Sequence, residues 1–356
     1  MTVRIGTLVE GSGVTGVVVP CAWPEADRAL ASILVLDGLQ QDAVRAYAGL
    51  TLPCAELERW NVIQPQEGLG RVVILADLEG ATGVPNEADA VTPAEETAGV
   101  PTPAYAAACS ALTLDVLHAV AGARAAGARE IVVADAHWHD TNLRDLDFDV
   151  PVVRGSQAAL GAMQGADLAM LIGWHAKAGT PAACLPHTYT DRIATLSIDG
   201  VEVGEIGMLE RLIASCGVPV VLVAGDAAAA EEFRWGGDAC ASATWRRTVV
   251  TKSVDANGVA RHRNQSQVRA EIFCGAYEQT RAYATDRAAA RQLAAVRFRP
   301  GDFAIQLRPG FEVDPDHEVS VDGEGRYLIQ RGSIRLNYLT FQRFVDRLPA
   351  VGSHTA

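Results

Sequence analysis

Four short apolar runs recur between residues 71 and 226: "RVVILAD" (71–77), "REIVVADAH" (129–137), "ADLAMLIGWH" (166–175) and "GVPVVLVAGD" (217–226). Each has the length of a strand, is continuously apolar through its middle, and ends in a carboxylate or a histidine. A strand that is apolar on both faces must be covered on both, which is the habit of a parallel sheet flanked by helices. The intervening text supplies the helices. Residues 102–128 form an Ala-rich run that stops at glycines, and "VGEIGMLERLIASCG" reads as a helix closed by Gly217. The alternation predicts an α/β core over residues 70–226, with a mostly parallel sheet covered by helices. "TLSIDGVEVGE" reads as a hairpin turning at Asp199-Gly200.

The text changes on either side of this core. Over residues 227–350, "TWRRTVVTKSVDANG" has strand propensity and "RNQSQVRAEIFCGAYEQTRAYA" reads as a helix. "DFAIQLRPGFEV" and "RYLIQRGS" read as antiparallel strands, and "IRLNYLTFQRFVDRL" as a closing amphipathic helix. This portion is expected to be α+β and to complete the core. Residues 1–65 form a separate block, with a hairpin in "VRIGTLVEGSGVTGVVVP" and one or two short helices; "QPQEGLG" (64–70) marks the boundary. The block contains no histidine and reads as a cap or an assembly element.

Bulk properties narrow the function. With 49% hydrophobic and 21% charged residues, the 356-residue chain can bury a sizeable core. A net charge of −13 argues against nucleic acid as a partner, because phosphate binding needs a basic surface. No apolar run approaches the roughly 20 residues that span a bilayer, and "MTVRIGTLVEGSG" lacks the apolar centre of a secretory signal. The expectation is a cytoplasmic protein without a membrane partner. Seven dispersed cysteines, with no C-x-x-C pair, read as reduced thiols, Cys184 among them as a packing residue.

In an open α/β sheet, ligands bind beyond the carboxyl ends of the strands. Those ends carry Asp77 and Glu79, then Asp135, His137 and His139, then His175; the following loop brings His187, and Glu205 opens the next helix. Asp77 and Glu79 stand at i and i+2, positions that share a face. Two carboxylates held together repel, and burying them needs a positive partner. Taken singly, each residue has a plain structural reading. Asp77 could cap a helix, His139 could lie on the surface, and an isolated His175 is more often a satisfied core histidine. His118 reads as a packing residue within a helix, and His262, His317 and His354 lack supporting neighbours. Their coincidence at one edge points to a metal centre. Asp, Glu and His without cysteine suit zinc or manganese, and paired carboxylates can bridge two ions.

"ADLEG", "VADAHWHDTNL", "GWHAKAGTP", the downstream His187, "VEVGEIG" and "VPVVLVAGD" together resemble the zinc-dependent D-aminopeptidase family, of the type encoded beside dipeptide-transport genes. The likeness runs in order over about residues 70–345 and does not cover residues 1–65. It implies two zinc ions per subunit, with Mn²⁺ or another divalent ion as substitutes. Asp77, Glu79, His137, His175 and Glu205 would be the ligands, with Asp77 bridging. It also implies His187 as the catalytic residue, acting as acid or base beside a metal-bridging hydroxide. The substrate class implied is a small peptide or amide with an N-terminal D-residue, and the assembly a ring-type homo-oligomer, a decamer being one such size. Asp135 is a candidate partner for His137 or a nearby backbone group, and Lys177 for a substrate carboxylate, against a plain surface reading. Three alternatives stand beside this one: an amidohydrolase of a specialised metabolite, a two-metal phosphoesterase, and a non-catalytic metal-binding homologue.

Overall fold

In the computed structural model, the described residues are 7–11, 14–22, 29–35, 70–84, 90, 102–137, 142–143, 148–235, 246–255, 257–285, 287 and 301–348. Near the N-terminus, β1 (Thr7–Gly11), β2 (Val14–Ala22) and β3 (Ala29–Val35) form an antiparallel sheet in that order. The expected hairpin is β1–β2, in register Val9↔Gly16, and a third strand joins it. The short helices expected in this block lie outside the described residues.

All four apolar runs enter one sheet, as β4 (Arg71–Ala76), β5 (Glu130–Asp135), β7 (Leu168–Trp174) and β10 (Val220–Asp226). A short strand, β6 (Val152–Arg154), extends one edge. The other edge continues past Asp226 into β11 (Arg247–Val254), parallel to β10, and then β12 (Ala260–His262), which alone runs antiparallel. The order is β12-β11-β10-β7-β4-β5-β6. Both faces are covered, as the unbroken apolar runs require. Val72, Ile74 and Ala76 face one hydrophobic cluster, while Val73 and Leu75 face the other. This is the period-two alternation of a strand buried on both sides.

On the first face lie α1 (Pro103–Ala125) and α5 (Gln265–Thr285), which pack on each other and on the sheet. Thr102 caps α1 by accepting the Tyr105 N–H, with Pro103 at the first position. By length and composition α1 is apolar enough to cross a bilayer, which corrects the expectation that no run is long enough; most of it is buried in this layer. On the second face lie α2 (Ser156–Met163), α3 (Glu205–Ala214), α4 (Ala227–Trp235) and α6 (Ile334–Asp346).

A second, fully antiparallel sheet has the order β14-β15-β13-β8-β9. It joins β8 (Ile193–Ile198) and β9 (Val201–Val203) from the middle of the chain to β13 (Phe303–Leu307), β14 (Ser320–Val321) and β15 (Tyr327–Ile329). The β8–β9 hairpin turns at Asp199-Gly200, both with positive φ (51° and 77°), as a two-residue hairpin turn needs.

Candidate metal centre

Because β4, β5 and β7 are adjacent and parallel, their carboxyl ends open on the same side of the sheet. Asp77 and Glu79 follow β4, His137 follows β5 and His175 follows β7. Glu205 is the first residue of α3, and His187 arrives on the loop between β7 and β8. The close approach of two strand ends depends on glycine. Gly80 N–H donates to Gly173 O at 2.7 Å. A Cβ on Gly80 would lie 1.8 Å from Trp174 O, and one on Gly173 (φ +82°) would lie 1.9 Å from Asp77 O. The glycines of D-x-E-G and G-x-H are there so that two backbones can touch.

The cluster is dense and mostly buried. Asp77, Glu79, His137, His175 and Glu205 are all buried, and His187 is half-buried. His137 Nδ1 lies 3.2 Å from Asp77 Oδ1 and 2.9 Å from Glu79 Oε2. His175 Nε2 lies 3.5 Å from Asp77 Oδ2 and 3.2 Å from Glu205 Oε1. His187 Nε2 lies 3.5 Å from Glu79 Oε1. Two groups result, Asp77–Glu79–His137 and Glu79–His175–His187, in each of which the ligand atoms fall within 4.8 Å of one another.

The second nitrogen of each ring decides what the first can be. His137 Nε2 meets Ala90 O at 3.0 Å, His175 Nδ1 meets Ala176 O at 3.0 Å, and His187 Nδ1 meets Leu185 O at 2.9 Å. A carbonyl only accepts, so each of these nitrogens carries a proton. The opposite nitrogen is aimed at the carboxylates, and in the neutral ring it has a lone pair to offer a cation. Asp77 Oδ2 and Glu79 Oε2 are buried without a hydrogen-bond partner; the short His137–Glu79 approach lacks hydrogen-bond alignment. Unpartnered buried carboxylate oxygens are what a cation satisfies, and backbone-anchored imidazoles are the usual companions of metal ligands. The donor set fits divalent ions such as zinc.

The crowding of ionisable groups shows in their proton affinities. Burial, followed by the charge of Glu79, pushes Asp77 up to about 7. Burial also acts to raise Glu79, but the charge and close approach of His137, then His175 and His187, outweigh it and hold Glu79 well below its ordinary value. Burial disfavours charge on His137 and His175, yet Glu79 and Glu205 respectively lead the carboxylates that lift both well above the usual imidazole value. Glu205, opposed by burial, is lowered chiefly by His175. His187 is pushed down by burial and by the charge of His175.

A second row of side chains fixes the backbone of the cluster. Asp135 does not reach the His137 ring. Its oxygens accept the Asn142 and Leu143 N–H groups (2.6 and 2.8 Å), Asn142 Nδ2 (2.9 Å) and Arg154 (3.0 Å), and Asn142 in turn donates to His137 O. Glu232 on α4 accepts the N–H of Lys177 at 2.9 Å and of Gly204 at 3.1 Å, tying the His175 loop to the start of α3. Asp226 accepts the Cys184 N–H at 2.7 Å, anchoring the loop that carries His187. Cys184 itself is buried, as a packing residue would be. Lys177 Nζ is ion-paired with Glu202 on β9. His139 lies outside the described residues. Thr251 and Lys252 on β11, which sequence reasoning passed over, hold the turn after β4; only the fold brings them there. His118 is buried in α1 on its own turn, with Nδ1 at 2.6 Å from Leu114 O.

Fold and cluster together define an α/β protein with a buried carboxylate–histidine centre of the kind that holds divalent cations. A model of the D-aminopeptidase family matches residues 71–303, and the chain belongs to that enzyme family. It is 26% identical over 168 residues to a D-aminopeptidase of Bacillus subtilis (strain 168), a match covering 46% of this chain and 58% of that relative. The chain therefore aligns with less than two thirds of this relative's length. Among solved structures, it shares its fold with the Zn-dependent D-aminopeptidase DppA from Bacillus subtilis, described as a self-compartmentalizing protease. The TM-score is 0.61 at 18% identity, over 80% of this chain and 100% of that one.

Proposed function

We propose that this chain is a hydrolase of amide bonds that uses two divalent cations, zinc foremost, and acts on small peptides or amides with an N-terminal D-residue. The observation that carries the reading is the arrangement of lone pairs. Three imidazoles each give one N–H to a backbone carbonyl and turn the other nitrogen on carboxylates, two of whose buried oxygens, Asp77 Oδ2 and Glu79 Oε2, lack hydrogen-bond donors. Asp77 offers one oxygen toward His137 and the other toward His175, as a bridging ligand would. Glu79 completes one side with His137, and Glu205 completes the other with His175. Asp77, Glu79, His137, His175 and Glu205 would hold the cations, whose chemistry there would be to acidify a bound water and polarise the scissile carbonyl.

His187 is the proposed acid–base group. Its side chain is 25% exposed, against 2–11% for the other histidines and carboxylates of the cluster. It therefore stands at the open side, where a substrate would enter. Its Nδ1 is fixed by Leu185 O, which leaves Nε2 to take a proton and return it to the leaving amine. The two-metal phosphoesterase alternative calls for cations free to clamp phosphate, and Lys177 is already engaged by Glu202. That DppA is a self-compartmentalizing protease supports a ring-type homo-oligomer for this chain too.

Asp77→Ala tests the site directly. The expected result is loss of bound zinc together with loss of hydrolysis of D-aminoacyl amides, by metal analysis and a panel of D- and L-aminoacyl amides and phosphoesters. An Asp77→Ala protein that keeps both its metal and its activity would refute the reading.

A further inference from the structure

The turn that follows β4 carries two of the five proposed ligands, yet its backbone is not held by its own strand. Its carbonyls are caught from β11, across the sheet. Thr251 Oγ1 donates to Gly80 O at 2.7 Å. Lys252 Nζ donates to Glu79 O, to Val84 O and, at 3.2 Å, to Ala81 O. Both side chains are fully buried, Lys252 at 0% exposure.

Burying an ammonium group is costly unless its protons are all accepted. Lys252 has three N–H donors and meets three carbonyls, so the match is complete. Neighbouring residues on a regular strand point to opposite faces. Here they converge on one turn because β11 carries a bulge: Gly225 pairs with Val250 and Asp226 with Lys252, leaving Thr251 as the extra residue. Bulges beside active sites serve to re-aim side chains in this way. With the carbonyls of residues 79, 80, 81 and 84 taken by β11, the carboxylates of Asp77 and Glu79 meet the histidines.

We infer that Thr251 and Lys252 are positioning residues, a bulge-borne clamp on four carbonyls that holds Asp77 and Glu79 in the geometry that binds the cations. This rests on the metal reading of the site and deepens it. The clamp touches neither substrate nor ion; it acts through the turn. An outer row of this kind typically changes metal affinity by about 10–100-fold.

The test uses the full chain and Zn²⁺ alone, measured by competition with a chromophoric chelator, with the visible absorption of the Co²⁺-loaded protein as a geometric signature. Lys252→Met is expected to weaken Zn²⁺ binding by about 10-fold or more and to alter the Co²⁺ spectrum. Thr251→Val, which keeps shape and removes one hydroxyl, is expected to shift both in the same direction by less. Wild-type Zn²⁺ affinity and an unchanged Co²⁺ spectrum in these variants would overturn the clamp. If Lys252→Met does not fold, Thr251→Val alone decides by the same two readouts. A wild-type chain that binds no Zn²⁺ would instead sink the metal reading, and the clamp with it.

Discussion

The imidazole of His187 lies flat on that of His175, with ring centroids 4.0 Å apart and planes 5° from parallel. Two charged rings would repel at that spacing. The carboxylates resolve it by unequal sharing: Glu205 approaches His175 to 3.2 Å, whereas the nearest carboxylate oxygen to His187 is 3.5 Å away. His175 is thereby the ring tied into the buried cluster, and His187 the more exposed ring at its side, the proposed acid–base group.

His187→Ala separates these roles. The expected outcome is a fall in kcat of about 10²–10⁴-fold for a D-aminoacyl amide, with zinc content unchanged by metal analysis. Loss of one zinc along with the activity would make His187 a ligand, since it also lies in a potential ion-holding group with Glu79 and His175.

Gly173 is where two strand ends meet. A methyl group there faces both a left-handed backbone and the Asp77 carbonyl at 1.9 Å. Gly173→Ala is expected to cost about 1–3 kcal/mol from the backbone conformation alone, with the overlap adding to it. Because relief of the overlap must part Asp77 from β7, Zn²⁺ affinity is expected to fall as well. Urea unfolding of the metal-free protein and chelator competition measure the two effects. An unchanged urea midpoint would show that the two backbones do not approach as closely as the glycines suggest.

What the sequence makes legible is local. Apolar runs identify β4, β5, β7 and β10, and the polar residues at their ends fall together because parallel neighbours share a carboxyl edge. The Asp199-Gly200 turn is equally local. What it hides is set by partners far along the chain. Lys252 reads as an ordinary strand residue, and its carbonyl at Glu79 is 173 positions away. The bulge at Thr251 leaves no mark in composition. Glu232 follows an Ala-rich stretch and looks like a surface residue until its two backbone donors, at Lys177 and Gly204, are seen. Lys177, read as a candidate for substrate, is paired with Glu202 through a hairpin whose packing no pattern announces.

Arg269 and Asp115 tie the two helices on the first face to the turn after β4. Asp115 accepts Arg269 Nε at 3.0 Å, Thr82 N at 2.9 Å and Thr82 Oγ1 at 2.8 Å, and its side chain is wholly buried. Removing one partner of such a pair leaves an uncompensated charge. Arg269→Met is expected to lose about 3–5 kcal/mol in urea unfolding. Arg124→Met, which breaks the partly exposed pair with Asp149, is expected to lose no more than about 1 kcal/mol. Equal losses from the two would mean that burial does not set the worth of the inner pair.

His118 gives the fold an acid limit independent of the carboxylate–histidine cluster. It is buried in α1, and burial, with the charge of Arg269 assisting, pushes it from 6.5 down to about 4. Between those values the unfolded chain takes up a proton that the folded chain refuses. Its contribution is therefore complete above the unfolded value and is lost progressively as pH falls toward 4, up to about 3 kcal/mol. His118→Asn can keep a donor toward Leu114 O without titrating. Urea unfolding of both proteins, followed from neutral pH down to about pH 4.5, should show the wild type losing more stability than the variant by most of that amount. Comparing the two cancels the titration of the cluster histidines, which both retain. Parallel curves for the two proteins would rule out a buried neutral imidazole at this position.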